Sequence, residues 1–189
     1  DKDPDIANID KPILGANDGA SGVSILMVLA EILKDNPMQN IGIDLLFVDG
    51  EDIGRKGDLN NFSIGTKLFS KSVFNDPPEF AICLDMVGDK DAEFKMEYFS
   101  YIQAEDKLKE IWQLANDLGY KEFTYDIQPP IYDDHRAFFI ETGIPSIDII
   151  DFDYPYWHTL EDTPDKCSAS TLGIVGRVVS EYIYREDSK

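Results

Sequence analysis

FAICLDMVG, residues 80–88, is apolar at nearly every position and closes on Gly88, the pattern of a strand buried on both faces of a sheet. A second run of the same kind, IGIDLLFVD at 41–49, predicts another doubly covered strand, and PSIDIID at 145–151 a third. FTYDI at 123–127 is a further strand candidate. Helical spacing fills the gaps between them. Val23, Leu26, Met27, Ala30 and Leu33 recur at intervals of three and four, so a helix is expected from about Ala20 to the Asp35-Asn36-Pro37 break. Residues 62–72 predict a second helix; Leu108, Ile111, Trp112, Ala115 and Leu118 mark a third that stops at Gly119. A short helix is expected from Arg136 to Thr142, and a last one from about Ser168 to Tyr184 with Leu172, Val175, Val179 and Ile183 inward. Alternating strands and helices of this kind build a layered α/β domain.

The 189 residues are 43% hydrophobic and carry no linker-like break or internal repeat, which predicts a single domain over 1–189. Lys and Arg number 17 against 37 Asp and Glu, a net charge of -20 that repels phosphate backbones and anionic lipid. Neither nucleic acid nor a membrane surface is an expected partner. No apolar run approaches the roughly 20 residues that span a bilayer, and DKDPDIANIDKP at the start has no signal-peptide apolar region. The two cysteines allow at most one disulfide, and Cys83, inside the 80–88 run, has the setting of an inert core thiol.

Carboxylates and both histidines gather where those strands end: GANDGASG at 15–22, DGED at 49–52, YDDH at 132–135 and YWHT at 156–159. In open α/β sheets the carboxyl ends of the strands form the ligand crevice. Oxygen and imidazole ligands brought from separate loops suit Zn²⁺, with a neighbouring carboxylate left to move protons. Each residue also has an ordinary reading. Asp18 precedes a helix and has the chemistry of an N-cap. Glu51 and Asp52 taken as a pair suit a solvated turn, although adjacent acids can also divide metal binding from proton transfer. Asp85 within ICLDMVG requires a donor or a cation if it is buried. Asp133 or His135 is placed to cap the short helix, while two successive acids are also a way of raising one pKa by like-charge repulsion, useful for a proton shuttle. His158 alone suits a structural histidine, and Tyr154, Tyr156 and Trp157 suit either core or the wall of a substrate pocket.

Taken in order, GANDGASGV, FVDGEDIG, CLDMVG, DDH ahead of GIPSIDII, and DYPYWHTLEDTPD resemble the zinc aminopeptidase and glutaminyl cyclase superfamily, closest to its bacterial glutaminyl-cyclase-like branch. The resemblance extends over essentially the whole chain. It implies a three-layer α/β/α sandwich around a mixed, mostly parallel sheet of phosphorylase/hydrolase type. It also implies that Asp18, Asp52 and His158 hold one zinc ion and that Glu51 is the general acid/base. Asp85 matches a position that binds a second metal in the aminopeptidases and supports the site from behind in the cyclases. The family's His-x-Asp motif upstream of the GAND turn has no counterpart here. An N-terminally truncated member is therefore expected, lacking the leading strands, with a second zinc only where that histidine is present and self-association through an uncovered sheet edge.

The resemblance implies a peptide with a free N-terminus as substrate. A cyclase converts N-terminal Gln to pyroglutamate with release of ammonia; an aminopeptidase hydrolyses the N-terminal residue. Asp133, where typical aminopeptidases have Ser, and Trp157 directly before His158 favour the cyclase. The aromatic residue of animal cyclases is missing, its stretch being Arg55, Lys56 and Gly57. Tyr154, Tyr156, Trp157 and His135 are the expected pocket walls. A zinc-containing peptide-binding module without catalysis is the alternative of another class. An extracytoplasmic compartment is implied by the resemblance alone.

Overall fold

A computed structural model describes residues 3–8, 10–55, 57–73 and 76–189; Lys56 lies outside them. The elements run α1 (Ala20–Asp35), α2 (Ile64–Ser70), β1 (Ala81–Asp85), β2 (Phe94–Glu97), α3 (Tyr98–Asp117), β3 (Phe123–Gln128), α4 (Asp134–Thr142), β4 (Ser146–Ile150) and α5 (Ala169–Asp187). β1 pairs with β4 and β2 with β3, both in parallel, and β2 also lies against β4. Parallel neighbours need crossover helices, which is the role of the segments between them.

Alternation along β4 shows how both sheet faces are covered. Ile147 and Ile149 enter the main core with Val87, Phe94, Leu108, Ile111, Trp112 and Val175. Ser146 and Asp148 point to the opposite face, where α4 packs; Ser146 Oγ donates to the His135 carbonyl at 2.6 Å. Trp112 is fully buried, stacks edge-on against Phe123 at 5.1 Å and donates its indole N–H to the Phe94 carbonyl at 3.2 Å. α1 meets β1 without side-chain clearance at Gly22, where a Cβ would stand 2.1 Å from the Leu84 carbonyl oxygen. Only glycine permits that approach.

One expectation is corrected, and two features of the fold lay outside the sequence reading. The 41–49 run joins no ladder among the described residues. Ile41, Ile43 and Leu45 pack on the main core, whereas Leu46, Phe47 and Val48 are exposed, so the segment is covered on one side instead of two. An apolar run supplies burial energy, but a strand also requires a neighbouring backbone to pair with. The expected helix forms as α1, with Ser21, Gly22, Ile25 and Leu29 as its buried face; Val23, Met27 and Ala30, whose spacing marked it, are exposed. Two apolar stripes run along this helix, and periodicity alone does not say which meets the sheet. β2 had no counterpart among the expected strands, its four residues being too few to show alternation against Lys95 and Glu97. Both cysteines are free. Among the described residues no helix is long and apolar enough to cross a membrane.

Candidate metal centre

Three loops converge beyond the ends of β1 and β4. The first carries Asp18. Its backbone N–H and that of Asn17 donate to the two carboxyl oxygens of Asp162, at 3.1 and 2.8 Å, and Tyr154 donates its hydroxyl to Asp162 at 2.8 Å. Asn17 Oδ1 accepts from Gly88 N at 2.7 Å, and Ser21 Oγ accepts from Val87 N at 3.0 Å, so this turn is fastened to the end of β1. Asp18 is not the cap of α1: Gly19 occupies that position without a side-chain bond. The acid is left free for the pocket.

The second loop carries Glu51 and Asp52. Gly50 turns the chain at φ 72°, a left-handed conformation that costs glycine little. The carbonyls of Asp49, Gly50 and Glu51 then accept from the N–H groups of Gly65, Ile64 and Ser63, at 3.0, 3.1 and 2.8 Å, where α2 begins. The third loop follows β4 and brings His158 at φ 58°; Met86, at the end of β1, sits at φ 45°. Left-handed backbone at two non-glycine residues costs roughly 1–3 kcal/mol each, strain of the kind that collects at functional sites.

His158 Nε2 lies 2.7 Å from Asp52 Oδ2 and 3.3 Å from Asp18 Oδ2. One ligand atom from each of these three residues falls within 4.8 Å of the others. Asp18, Glu51, Asp52, Asp85, Asp133 and Trp157 line one pocket of about 270 Å³, together with Phe62, Ile131, Tyr132 and Phe152. Trp157 stacks on His158 at 4.7 Å and on Phe152 at 4.8 Å, fixing the imidazole from its open side.

Five carboxyl groups share that pocket, and no Lys or Arg is among its described lining residues. Burial, then the charges of Asp133, Asp52 and Asp85, push the Glu51 carboxyl up to about 10. Burial raises Asp18 to about 6 although His158 opposes it. Asp85, whose Oδ1 accepts from Met86 N at 2.9 Å, is driven well above the carboxylate range by burial and by Asp133 and Asp18. The hydrogen bond from His158 holds Asp52 low. So many acids cannot ionise together without a cation. The donor set of two carboxylates and one imidazole, with an open fourth side toward the pocket, fits Zn²⁺.

One pH dependence follows directly. Asp18 is raised from 3.8 to about 6, and buried Asp151, beside Asp89, to about 7. The folded metal-free protein therefore binds more protons than the unfolded chain across this range. Its stability is full below pH 3.8 with respect to these two groups and falls as pH rises through 6 and 7. Calorimetric melting of metal-free protein is expected to show the midpoint dropping between about pH 4 and 7; a midpoint that rises over the whole interval contradicts the electrostatics described.

Other sequence-based site candidates are placed elsewhere. His135 is no pocket wall: its side chain is fully buried beneath α4, with Nε2 2.9 Å from Glu97 Oε2. Tyr154 is 3% exposed and spends its hydroxyl on Asp162. Tyr156 lines a separate acidic depression with Asp89, Glu93, Asp151 and Asp153. Aromatic residues in DYPYWHT alternate between core and surface, which the cluster of letters does not reveal. Asp133 both caps α4, accepting from Asp134 N, and lines the pocket. Sequence reasoning missed Phe62, Ile131, Tyr132 and Phe152 as walls and Asp162 as the anchor of the Asp18 turn. Tyr132 stood within a quoted motif and Phe152 beside one, so proximity was a usable signal; Phe62 had none.

The family model of peptidase family M28 matches residues 3–183. Among solved structures, a glutaminyl cyclase of Porphyromonas gingivalis is 34% identical with a TM-score of 0.93, over 98% of this chain and 68% of that one. A glutaminyl cyclase of Bacteroides thetaiotaomicron bound to N-acetylhistamine is 36% identical with a TM-score of 0.92, over 97% and 68%. A Zn-dependent exopeptidase of Parabacteroides distasonis is 35% identical with a TM-score of 0.91, again over 97% and 68%. The chain spans about two thirds of the length of each.

Proposed function

The chain belongs to peptidase family M28, and from that premise we infer that it is a zinc-dependent enzyme of peptide N-termini whose reaction is cyclisation of N-terminal glutamine. The observation that carries this reading is the placement of Glu51 and Asp133 in one pocket with Asp18 and Asp52, the two carboxylates of the three-ligand cluster that His158 completes. Asp85 reaches the same pocket but belongs to no such cluster among the described residues. That arrangement suits one metal ion and a proton-moving acid pair better than a two-metal hydrolytic centre.

Asp18, Asp52 and His158 would hold the ion. When bound, zinc supplies a Lewis acid that polarises an amide carbonyl. Glu51 takes the proton from the substrate α-amine as its nitrogen forms the bond to the side-chain amide carbon, and returns a proton to the departing ammonia. No water is consumed, and attack within one residue replaces a bimolecular encounter. Asp133 stands close enough to Glu51 to raise its proton affinity, which favours uptake at the amine and weakens as the proton is passed on. Trp157, Phe152, Phe62 and Ile131 wall the side chain from solvent. About 270 Å³ accommodates one residue and its amine, not a folded partner.

Hydrolysis of the N-terminal residue is the second reading, favoured by Asp85 in the same pocket and by the likeness to a Zn-dependent exopeptidase. Zinc-loaded protein is incubated with an N-terminal glutaminyl peptide and with its leucyl counterpart, and the products are followed by mass. Loss of ammonia from the glutaminyl peptide alone supports cyclisation. Release of free amino acid from both moves the assignment to aminopeptidase, and no product from either leaves peptide binding as the function. The extracytoplasmic location implied by the resemblance belongs to the same proposal and is tested by cell fractionation.

A further inference from the structure

Behind Asp133, on the face of β4 that meets α4, Asp148 is completely buried, and neither carboxyl oxygen has a hydrogen-bond partner among the described residues. Oδ2 of Asp133 and Nδ1 of His135 are buried and unpartnered in the same sense. Cys83 Sγ and one oxygen each of Asp133 and Asp148 lie within 4.8 Å of one another, and His135 Nδ1 stands 3.5 Å from Asp148 Oδ2. The far nitrogen of His135 faces Glu97 at 2.9 Å. Glu97 accepts the N–H groups of Phe99, Ser100 and Ile131 and the Ser100 hydroxyl, a donor set that favours its anion. His135 Nε2 therefore carries the hydrogen of that contact, leaving Nδ1 toward Asp148.

An ionised carboxylate with no donor is strongly disfavoured in a dry interior. Asp133 Oδ2 and a carboxyl oxygen of Asp148, close together and neither with a donor, are satisfied together by one proton. We infer that Asp148 and Asp133 share a single proton and that Asp148 is thereby a positioning residue, fixing the orientation and the charge that Asp133 presents to Glu51. This rests on the role proposed above for Asp133. The charged and titratable groups around the pair are Cys83 and Asp85 from β1, Glu97 from β2, and Asp134 and His135 from α4, with His135 the one base among them. Burial and the Asp133 contact drive the Asp148 carboxyl well above the ordinary range, in the same direction.

The pair is a closed arrangement. One proton leaves it with a single negative charge, enough to stabilise a protonated Glu51 without two adjacent anions repelling each other. An asparagine at 148 keeps a donor, because its Nδ2–H reaches the Asp133 oxygen that the carboxyl O–H reached. A leucine removes the donor and leaves Asp133 unpartnered.

The test compares the zinc-loaded wild type with Asp148→Asn and Asp148→Leu, by infrared difference spectra at pH 7 and by turnover of an N-terminal glutaminyl peptide across pH. Both variants are expected to lose one protonated-carboxyl stretch present in the wild type. Asp148→Leu is expected to lose roughly 10²-fold in kcat with KM changed less than about threefold and its pH profile displaced, while Asp148→Asn recovers most of that loss. A spectrum in which neither variant loses a protonated carboxyl overturns the shared proton. Equal kcat and equal pH profiles for the two variants overturn the positioning role. Should Asp148→Leu fail to fold, Asp148→Asn still decides the spectrum. Absence of turnover even in the wild type would count against the function proposed above and leave the infrared outcome fully informative about the pair.

Discussion

Glu51→Gln protein is expected to bind zinc in the same amount as the wild type and to turn over N-terminal glutaminyl peptide roughly 10²–10⁴-fold more slowly. The amide is the same size as the carboxyl, so the loop that carries it stays in place: its hold on α2 runs through the main-chain carbonyls of residues 49–51, not through this side chain. What disappears is a group able to take a proton from an amine and return it to ammonia. The pocket contains other acids, and their positions say why they are poor substitutes. Asp52 is committed to His158 at 2.7 Å. Asp85 lies at the end of β1, and Asp133 caps α4 through one of its oxygens. Zinc content and kcat measured on the same preparation check the prediction. Near-normal turnover at full zinc occupancy would remove Glu51 from the chemistry.

Particular residues explain how much of this was legible from the chain. FAICLDMVG and PSIDIID appear as β1 and β4 because a strand covered on both faces needs apolar side chains in both registers, and that pattern survives in a single sequence. The last helix was equally plain, with Val175, Val179 and Ile183 inward. The 41–49 run carried the same signature and forms no ladder, since pairing depends on a second backbone that no local pattern encodes. The site divides along the same line. Asp18, Glu51, Asp52, Asp85, Asp133 and Trp157 stood next to strand ends, where the topology of an α/β sheet collects loops, and they meet in one pocket. His135 stood equally near an end and turns inward, because α4 presents it to Glu97 and not to the opening. Asp148 gave no sign of interest, being one acid in an apolar strand, yet its unpartnered carboxyl is the most unusual polar group of the interior. Side-chain direction and partner count, which separate these cases, exist only after folding.

Replacing His158 with alanine is expected to abolish stoichiometric zinc while leaving the fold. Loss of a residue that merely supports a metal ligand costs about 10–100-fold in affinity, and removal of a ligand itself should exceed that. The imidazole is also the nearest base to both remaining carboxylates, at 2.7 Å from Asp52 and 3.3 Å from Asp18, so its removal leaves them facing one another and weakens the variant's hold on any cation in the geometry described. The main core does not include this loop: Leu108, Ile111, Trp112 and Val175 are packed among themselves and against β2, β3 and β4. Melting of metal-free His158→Ala should accordingly match that of metal-free wild type, and zinc should raise the melting temperature of the wild type only, since a ligand that binds only the folded state stabilises it by mass action. Full zinc content in the variant would place the ion elsewhere. Unfolding of the metal-free wild type would instead make the ion part of the fold, as in small zinc domains. The size of the apolar core, built without a single residue of the Asp18, Asp52 and His158 cluster, argues that the ion is held for its chemistry.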